Sequence, residues 1–292
     1  MEYKLLMIYW KKIIISFLLL FLVVALFIWF VPSKILPISW DFRNNLWAPA
    51  YLLWHGESAY DINLLFENSN AIWFPQIIGV FFPLGLLSQN QASNIWLILN
   101  TILLIILIWF LFVRVMQKKP KPLFLGFLVL TVFLFPPTVR LLILGQVDVI
   151  VVISLIAGTY AIERRRLALG GFLFALALVK PQLCIIVLPS LIGYLLFIKR
   201  EWQVVLKLLS ISCLFGFVLT VPLWLSNSNW VSNFLINIQR NPQWSQPSIF
   251  SHMSYKLGSL GIVLWFFLFA ATLILSIQLW SKYGPTQAVL WS

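Results

Sequence analysis

Charged residues are scarce in this sequence. They account for 10% of its 292 residues, whereas hydrophobic residues account for 62%, and the mean hydropathy is +0.98. A water-soluble core cannot bury so large a share of apolar side chains, so the lipid bilayer must be the main solvent of the chain. The composition excludes an ordinary soluble enzyme and predicts an all-α polytopic membrane protein.

Cysteine and the motifs of soluble enzymes are nearly absent as well. The 2 cysteines, Cys184 and Cys213, both lie inside apolar runs, which favours buried thiols over a disulfide or a metal site. There is no phosphate-binding Gly-x-x-x-x-Gly-Lys loop, no Gly-x-Ser-x-Gly turn, no His-Glu-x-x-His helix and no Cys/His metal spacing. We therefore expect neither a metal nor a cofactor.

Long apolar runs are what the sequence does contain. They predict about eight transmembrane helices, the first of them a retained signal anchor. A further run, 72–88, is interrupted by proline and glycine and is interpreted as a juxtamembrane helix on the outer surface. The runs predicted to span are 13–31, 93–115, 123–139, 149–162, 167–179, 182–198, 203–225 and 257–281.

The basic residues indicate the orientation of these runs. Most of the 20 Lys and Arg residues bracket apolar runs instead of forming one patch, which argues for topology and against a nucleic-acid partner. If 72–88 does not span, every basic cluster falls on one side, which predicts a plasma-membrane protein with a cytoplasmic N-terminus. Most of the 8 acidic residues then fall outside, namely Asp41, Glu57, Asp61, Glu67 and Asp148.

The predicted architecture is a single transmembrane domain, 1–292, with two long outer segments. These segments are 32–92, in which we expect juxtamembrane helices, and 226–256, which is rich in Asn, Gln and Ser. Loops of this length are usually functional or disordered, and their aromatic content argues against disorder. Because the sequence stops partway into an apolar stretch, we leave open a truncated C-terminus.

Three groups of polar residues at membrane depth are candidates for function, since ionisable groups there are energetically costly. They are Asp41, the Arg140 and Gly145-Gln146-Val147-Asp148 segment, and Lys180 before Pro181. Each has a structural alternative. Asp41 fits a helix N-cap, Arg140 and Lys180 fit cations that extend to the headgroups, and Asp148 fits a first-turn carboxylate that complements the helix dipole. His55 and His252 fit residues that form hydrogen bonds at the membrane interface, as an alternative to acid–base groups.

Four segments in order resemble the integral-membrane GT-C glycosyltransferases, and most closely glycosyltransferase family 87, the polyprenol-phosphate-mannose-dependent mannosyltransferase-like proteins. The segments lie between about residues 10 and 225. The family's Pro-Pro is Pro75-Gln76 here, and its Gly-Gln-x-Asn is Gly-Gln-x-Asp. The four segments of this sequence are WDFRNNLWAPAYLLWHGESAYD, FPQIIGVFFPLGLL, LLILGQVDVIVVISLIAG and LALGGFLFALALVKPQLCIIVLPSLI.

The resemblance implies a GT-C-like helical bundle that transfers a hexose, mannose in particular, with inversion at the extracytoplasmic face. The donor is a polyprenyl-phosphate sugar and the acceptor a glycan or lipid. Asp41 would be the general base, and Lys180 and Arg140 would bind the donor phosphate. Sugar or acceptor contacts are expected from Gln146, Asp148, Asp61 and His252.

Two other functions stay open from the sequence. A transporter or flippase of lipid-linked sugars would also use intramembrane Arg, Lys and Asp, although no inverted repeat is visible. A non-catalytic truncated homologue is the second alternative.

Overall fold

The structure is a computed structural model that describes residues 39–67, 69–116, 122–240 and 249–284, together with 286 and 289. Every regular element in these ranges is a helix or a helical turn, and they contain no strand. The prediction of an all-α protein is thereby confirmed. The first predicted span, 13–31, lies outside the described residues.

The helices of the first half include one long span and several short pieces. Helix α1, Trp40–Phe42, continues as a π-helical turn, Arg43–Trp47, into α2, Ala48–Trp54. After a 3₁₀ turn, Ile62–Leu64, helix α3 covers Gln76–Phe81 and runs into a second 3₁₀ turn, Phe82–Leu86. Helices α4 to α6 cover Gln89–Met116, Pro122–Leu134 and Pro136–Leu144.

The second half alternates short and long helices in the same way. Helix α7, Asp148–Glu163, is followed by α8, Leu167–Ala177, and α9, Pro181–Cys184. Helix α10, Val187–Gly193, continues as a π-helical turn, Tyr194–Ile198. Helices α11 to α13 cover Trp202–Ser226, Trp230–Arg240 and Ile249–Tyr283, the last with a break at Gly258.

Contacts between residues divide the chain into two compact units. The first unit contains Met1–Phe42 and Ser93–Val149, and the second contains Arg43–Ala92 and Ile150–Ser292. In the first unit, the Ser39 N–H donates to the Ile143 carbonyl at 2.6 Å, which joins the start of α1 to α6. The prediction of a single domain, 1–292, stays a prediction.

Close helix packing in the second unit depends on small residues. A Cβ atom built on Gly79 of α3 would lie 1.9 Å from the Leu219 carbonyl oxygen of α11. Only glycine lets two helix backbones approach this closely. The packing of α3 on α11 therefore holds the run 72–88 against a long helix.

Three described helices are long and apolar enough to cross a bilayer, and a bent pair raises the number to four. The three are Gln89–Val113, Trp202–Ser226 and Met253–Tyr283, in agreement with the predicted runs 93–115, 203–225 and 257–281. The bent pair, Phe124–Leu134 and Pro136–Leu144, turns by 68°. The class of polytopic helical membrane protein is supported, and the count of about eight spans stays a prediction.

Prolines break or end some of the other predicted spans. Pro136 and Pro137 start α6 after the bend in the run 123–139, and Pro181 starts α9 after Lys180. Proline lacks the N–H that would continue a preceding helix, and it is well tolerated at a helix start. The run 72–88 also yields only a short apolar helix, Gln76–Leu86.

Candidate functional site

Asp41 and Gln146 are directly joined in the first unit. Asp41 is the second residue of α1, and its Oδ2 accepts a hydrogen bond from Gln146 Nε2 at 2.7 Å. Both residues are half-buried, although 105 positions separate them in the chain. Asp41 lies one position past the start of α1, and its contact with Gln146 is a long-range one.

The turn that presents Gln146 has a conformation that requires glycine. Gly145 ends α6 with φ 70°, and the N–H groups of Gly145 and Gln146 donate to the carbonyls of Leu142 and Leu141. This is the Schellman arrangement, in which the left-handed residue is usually glycine. A Cβ on Gly145 would also lie only 2.7 Å from Phe42 Cβ. The Gly-Gln pair is therefore needed for backbone shape as well as for the glutamine side chain.

Two side chains of α4 bind the carbonyls of this turn. Trp96 Nε1 donates to the Gly145 carbonyl at 2.8 Å, and Asn100 Nδ2 donates to the Gln146 carbonyl at 2.9 Å. Trp96 and Asn100 lie four residues apart, so they face the same side of the helix. Trp96 is 1% exposed and Asn100 is fully buried, and the Phe42 ring stacks on Trp96 at 6.3 Å.

We call Trp96 and Asn100 the carbonyl clamp. Sequence reasoning missed both residues, since it concentrated on ionisable groups. Asn100 was detectable as an amide inside a run that is otherwise almost wholly apolar, where an unsatisfied polar group is costly. Its partner was not detectable, because the partner is a backbone atom of a remote turn.

The other predicted residues of the first unit lie near the same turn in the chain. Asp148 is the first residue of α7, two positions past Gln146, and is half-buried. A carboxylate at this position complements the helix dipole, as the structural alternative predicts. Arg140 lies on α6, one turn before its end, and is exposed.

Lys180 belongs to the second unit and lies on an aromatic ring. It is half-buried between α8 and α9, and its Nζ is 5.5 Å from the centroid of the Trp73 ring. An ammonium group at this distance from an indole face is attracted by the ring. This contact gives Lys180 a defined position, unlike a cation that extends freely to the headgroups.

Asn45 supports the segment that carries Trp73. Its Oδ1 accepts hydrogen bonds from the N–H groups of Ile72 and Trp73 at 2.9 and 3.3 Å. Asn45 is buried in the π-helical turn Arg43–Trp47. Such turns insert one extra residue and are frequent at functional sites. Asn45 is a second residue that the sequence did not reveal.

The two long segments that the sequence predicts to be outer contact each other within the second unit. Asn233 Nδ2 of α12 donates to Ser58 Oγ at 3.1 Å, and Asn237 Nδ2 donates to the Tyr60 carbonyl at 2.9 Å. Burial raises the pKa of the Tyr60 phenol, so its hydroxyl stays protonated. The amide-rich part of 226–256 thus serves at least partly to hold the first outer segment.

The remaining predicted contacts, Asp61 and His252, differ in how far the structure describes them. Asp61 is exposed and precedes the 3₁₀ turn Ile62–Leu64 of the second unit. His252 lies in the first turn of α13, and its side chain is outside the described residues. Within the part of the chain that the structure describes, no three His, Cys, Asp or Glu side chains group as metal ligands. The expectation of no cofactor stays a prediction.

Comparison with known proteins identifies the family. The sequence model of glycosyltransferase family 87 matches residues 75–291. No curated protein and no solved structure matches the chain. The matched range includes Arg140, Gln146, Asp148, Lys180 and His252, and it extends further towards the C-terminus than residue 225, where the resemblance ends.

The matched range begins after Asp41 and Asp61, so the family match does not cover the proposed base. It does cover Gln146, the residue that binds the Asp41 carboxylate, and the clamp residues that hold its turn. Because the match extends over more than half of the chain, this protein belongs to glycosyltransferase family 87.

Proposed function

We propose that this membrane glycosyltransferase inverts the anomeric centre of a hexose, mannose in particular. It transfers the sugar from a polyprenyl-phosphate donor to a glycan or lipid acceptor at the extracytoplasmic face. The observation that carries the proposal is the hydrogen bond from Gln146 Nε2 to Asp41 Oδ2. It gives the Asp41 carboxylate, in the segment that resembles the family, a defined partner in a turn that the family match covers.

Asp41 is the general base in this proposal. It takes the proton of the acceptor hydroxyl as that oxygen forms the new bond to the anomeric carbon, and the polyprenyl phosphate leaves with the bonding electrons from the opposite face. A carboxylate offers about four lone-pair sites and can accept several hydrogen bonds at once, and the bond from Gln146 orients Asp41. No strong general acid is required, because phosphate is a competent leaving group.

Cations that stabilise the leaving phosphate are the second requirement. Lys180 is our candidate in the second unit, since its ammonium is half-buried and held on Trp73. Arg140 is the candidate in the first unit, where its planar guanidinium suits two phosphate oxygens. Both roles follow from the chemistry of a phosphate leaving group.

An apolar cleft in the second unit supports a lipid-linked substrate. It has a volume of about 430 Å³ and lies against α8, α11 and α12. Its walls include Leu178, Leu209, Gly216, Phe217 and Trp224. A polyprenyl chain is an apolar ligand of the kind that such walls accommodate.

The test of this function compares Asp41→Asn with wild type in proteoliposomes. The donor is polyprenyl-phosphate mannose, and octyl mannoside is the probe acceptor. The asparagine retains an oxygen for the Gln146 bond but is no base, so we expect kcat to fall by about 10²- to 10⁴-fold. Glu67→Gln, which neutralises an exposed carboxylate of the same outer segment, is the matched control and should retain wild-type turnover.

The stereochemistry of the product tests inversion separately. We expect the anomeric configuration of the transferred sugar to be opposite to that of the donor when measured by NMR. Retained configuration would contradict the inverting mechanism. Equal turnover of Asp41→Asn and wild type would remove Asp41 from the role of base.

A further inference from the structure

Basic side chains cluster in the second unit at the ends of three helical segments. Arg165 forms two hydrogen bonds with Glu201, each of 2.7 Å, which join the turn after α7 to the turn before α11. The Thr286 N–H donates to Glu163 Oε1 at 2.8 Å, which brings the segment after α13 to the same place. The cations of these segments are Arg164, Arg165, Arg166, Lys199, Arg200 and Lys282.

Both carboxylates of this region are engaged within the protein. Glu163 accepts hydrogen bonds from the N–H and the hydroxyl of Thr286. The hydrogen bonds from Arg165 hold the pKa of Glu201 below its usual range, so Glu201 is ionised at neutral pH. The cations outnumber these carboxylates, and the region has a net positive charge.

Exposed apolar side chains lie immediately beside the cations. Phe197 is 75% exposed, Ile198 49% and Trp202 58%, and they flank Lys199 and Arg200 in the chain. Aromatic rings next to Lys and Arg are typical of the level where acyl chains meet headgroups. We call these three side chains together with the six cations the basic–aromatic patch.

Two of the arginines have an unfavourable backbone conformation. Arg165 and Arg200 have φ values of 59° and 56°, and each ends a helical segment in the left-handed region. Glycine is the usual residue at such a helix end, because it has no Cβ to crowd the following carbonyl oxygen. Neither turn uses glycine, so both retain an arginine side chain at the cost of strain.

We propose that the basic–aromatic patch binds the headgroup of an anionic phospholipid. The lipid phosphate contacts the cations, and its acyl chains lie along Phe197, Ile198 and Trp202. A soluble anion would leave the apolar half of the patch in water, and a neutral lipid would leave the excess positive charge of the patch uncompensated. The predicted topology agrees, because these loops are expected on the cytoplasmic side, where membranes contain anionic lipid. This proposal does not depend on the sugar-transfer chemistry.

The test uses the purified full-length chain after exchange of its native lipid. Native mass spectrometry would compare binding of dioleoyl-phosphatidylglycerol and dioleoyl-phosphatidylcholine. We expect wild type to prefer phosphatidylglycerol and Arg166→Gln/Arg200→Gln to lose that preference by up to about 25-fold, from roughly fivefold per cation. Arg240→Gln/Lys256→Gln removes the same charge from exposed positions elsewhere in the second unit and should keep the preference.

Measurements on wild type alone keep the proposal testable if the double variant does not fold. Raising NaCl from 50 to 500 mM should reduce the preference for phosphatidylglycerol, because salt screens exposed charges. A salt-independent preference, or equal binding of both lipids, would overturn the proposal. Equal losses in the patch variant and its control would also overturn it.

Two further probes distinguish the lipid from other anions. Glycerol phosphate should bind much more weakly than phosphatidylglycerol, since it lacks acyl chains. Binding of glycerol phosphate as tight as that of the lipid would assign the patch to a soluble phosphate. Binding of polyglutamate as tight as that of the lipid would assign it to an acidic protein partner, and either result would contradict our inference.

Discussion

Individual polar residues in the first unit serve a backbone turn. Trp96 and Asn100 lie in a membrane-span helix, yet their donors point at the carbonyls of Gly145 and Gln146. Buried hydrogen bonds of this kind contribute about 1 kcal/mol each, and they also restrict the direction in which the next side chain points. We infer that the carbonyl clamp keeps Gln146 in reach of Asp41.

Trp96→Phe tests the clamp, because it removes the indole N–H and keeps a ring for Phe42 to stack on. If the clamp orients Asp41 through Gln146, kcat for mannosyl transfer should fall about tenfold while KM for the donor changes little. Trp109→Phe changes an exposed tryptophan of the same helix, 43% exposed, and should have no effect. A loss in KM alone, or the same small loss in both variants, would contradict a positioning role.

At the scale of elements, turns and helix breaks give the fold its particular form. The α6–α7 turn requires a left-handed residue with no side chain, and the bent pair α5–α6 begins its second helix at Pro136. The bend interrupts the run 123–139, which hydropathy alone reads as continuous. The α6–α7 turn places Gly145 and Gln146 between two helices, where side chains of α4 bind their carbonyl groups.

Gly145→Ala should destabilise the protein for two additive reasons. The left-handed conformation disfavours alanine by roughly 1–2 kcal/mol, and its Cβ would overlap Phe42. We expect the free energy of unfolding to fall by about 2–4 kcal/mol in urea titrations in detergent. Gly126→Ala is the control, since its Cβ meets no atom within 4 Å and alanine suits a helix better. Equal stability of the two variants would disprove the requirement for glycine.

For the whole molecule, the arrangement of spans depends on whether 72–88 crosses the bilayer. The structure gives this run only the short helix Gln76–Leu86, and Gly79 packs directly on the backbone of α11. A helix of this length is too short to cross about 30 Å of hydrocarbon. The length of this helix agrees with a run that does not span, and the topology as a whole stays a prediction.

Single-cysteine labelling in intact cells tests this topology. Glu67 and Asn90 are exposed residues on either side of the run, and cysteines there should both react with an impermeant thiol reagent added outside. The background would lack Cys184 and Cys213, and a cysteine at Arg164 should react only after permeabilisation. Labelling of Glu67→Cys outside and of Asn90→Cys only inside would show that 72–88 spans.

Local properties of the sequence were enough to predict the class of this protein. Apolar runs and scarce charge indicate a helical membrane protein, because the cost of exposing apolar or polar groups depends on each segment's own residues. The order of the Gly-Gln and Lys-Pro segments indicated the glycosyltransferase family that the match over 75–291 then showed. Asp41, Gln146 and Lys180 were selected as separate candidates by residue type and place in the chain.

The partners of those candidates were decided only by the tertiary structure. Gln146 meets Asp41 across 105 residues, Asn45 binds the segment that carries Trp73, and Arg165 reaches Glu201 from another turn. Composition and periodicity describe one segment at a time and contain no information on which segments pack together. Helix packing around residues such as Gly145 and Gly79 determines those distances, because backbone approach and turn conformation depend on both partners at once.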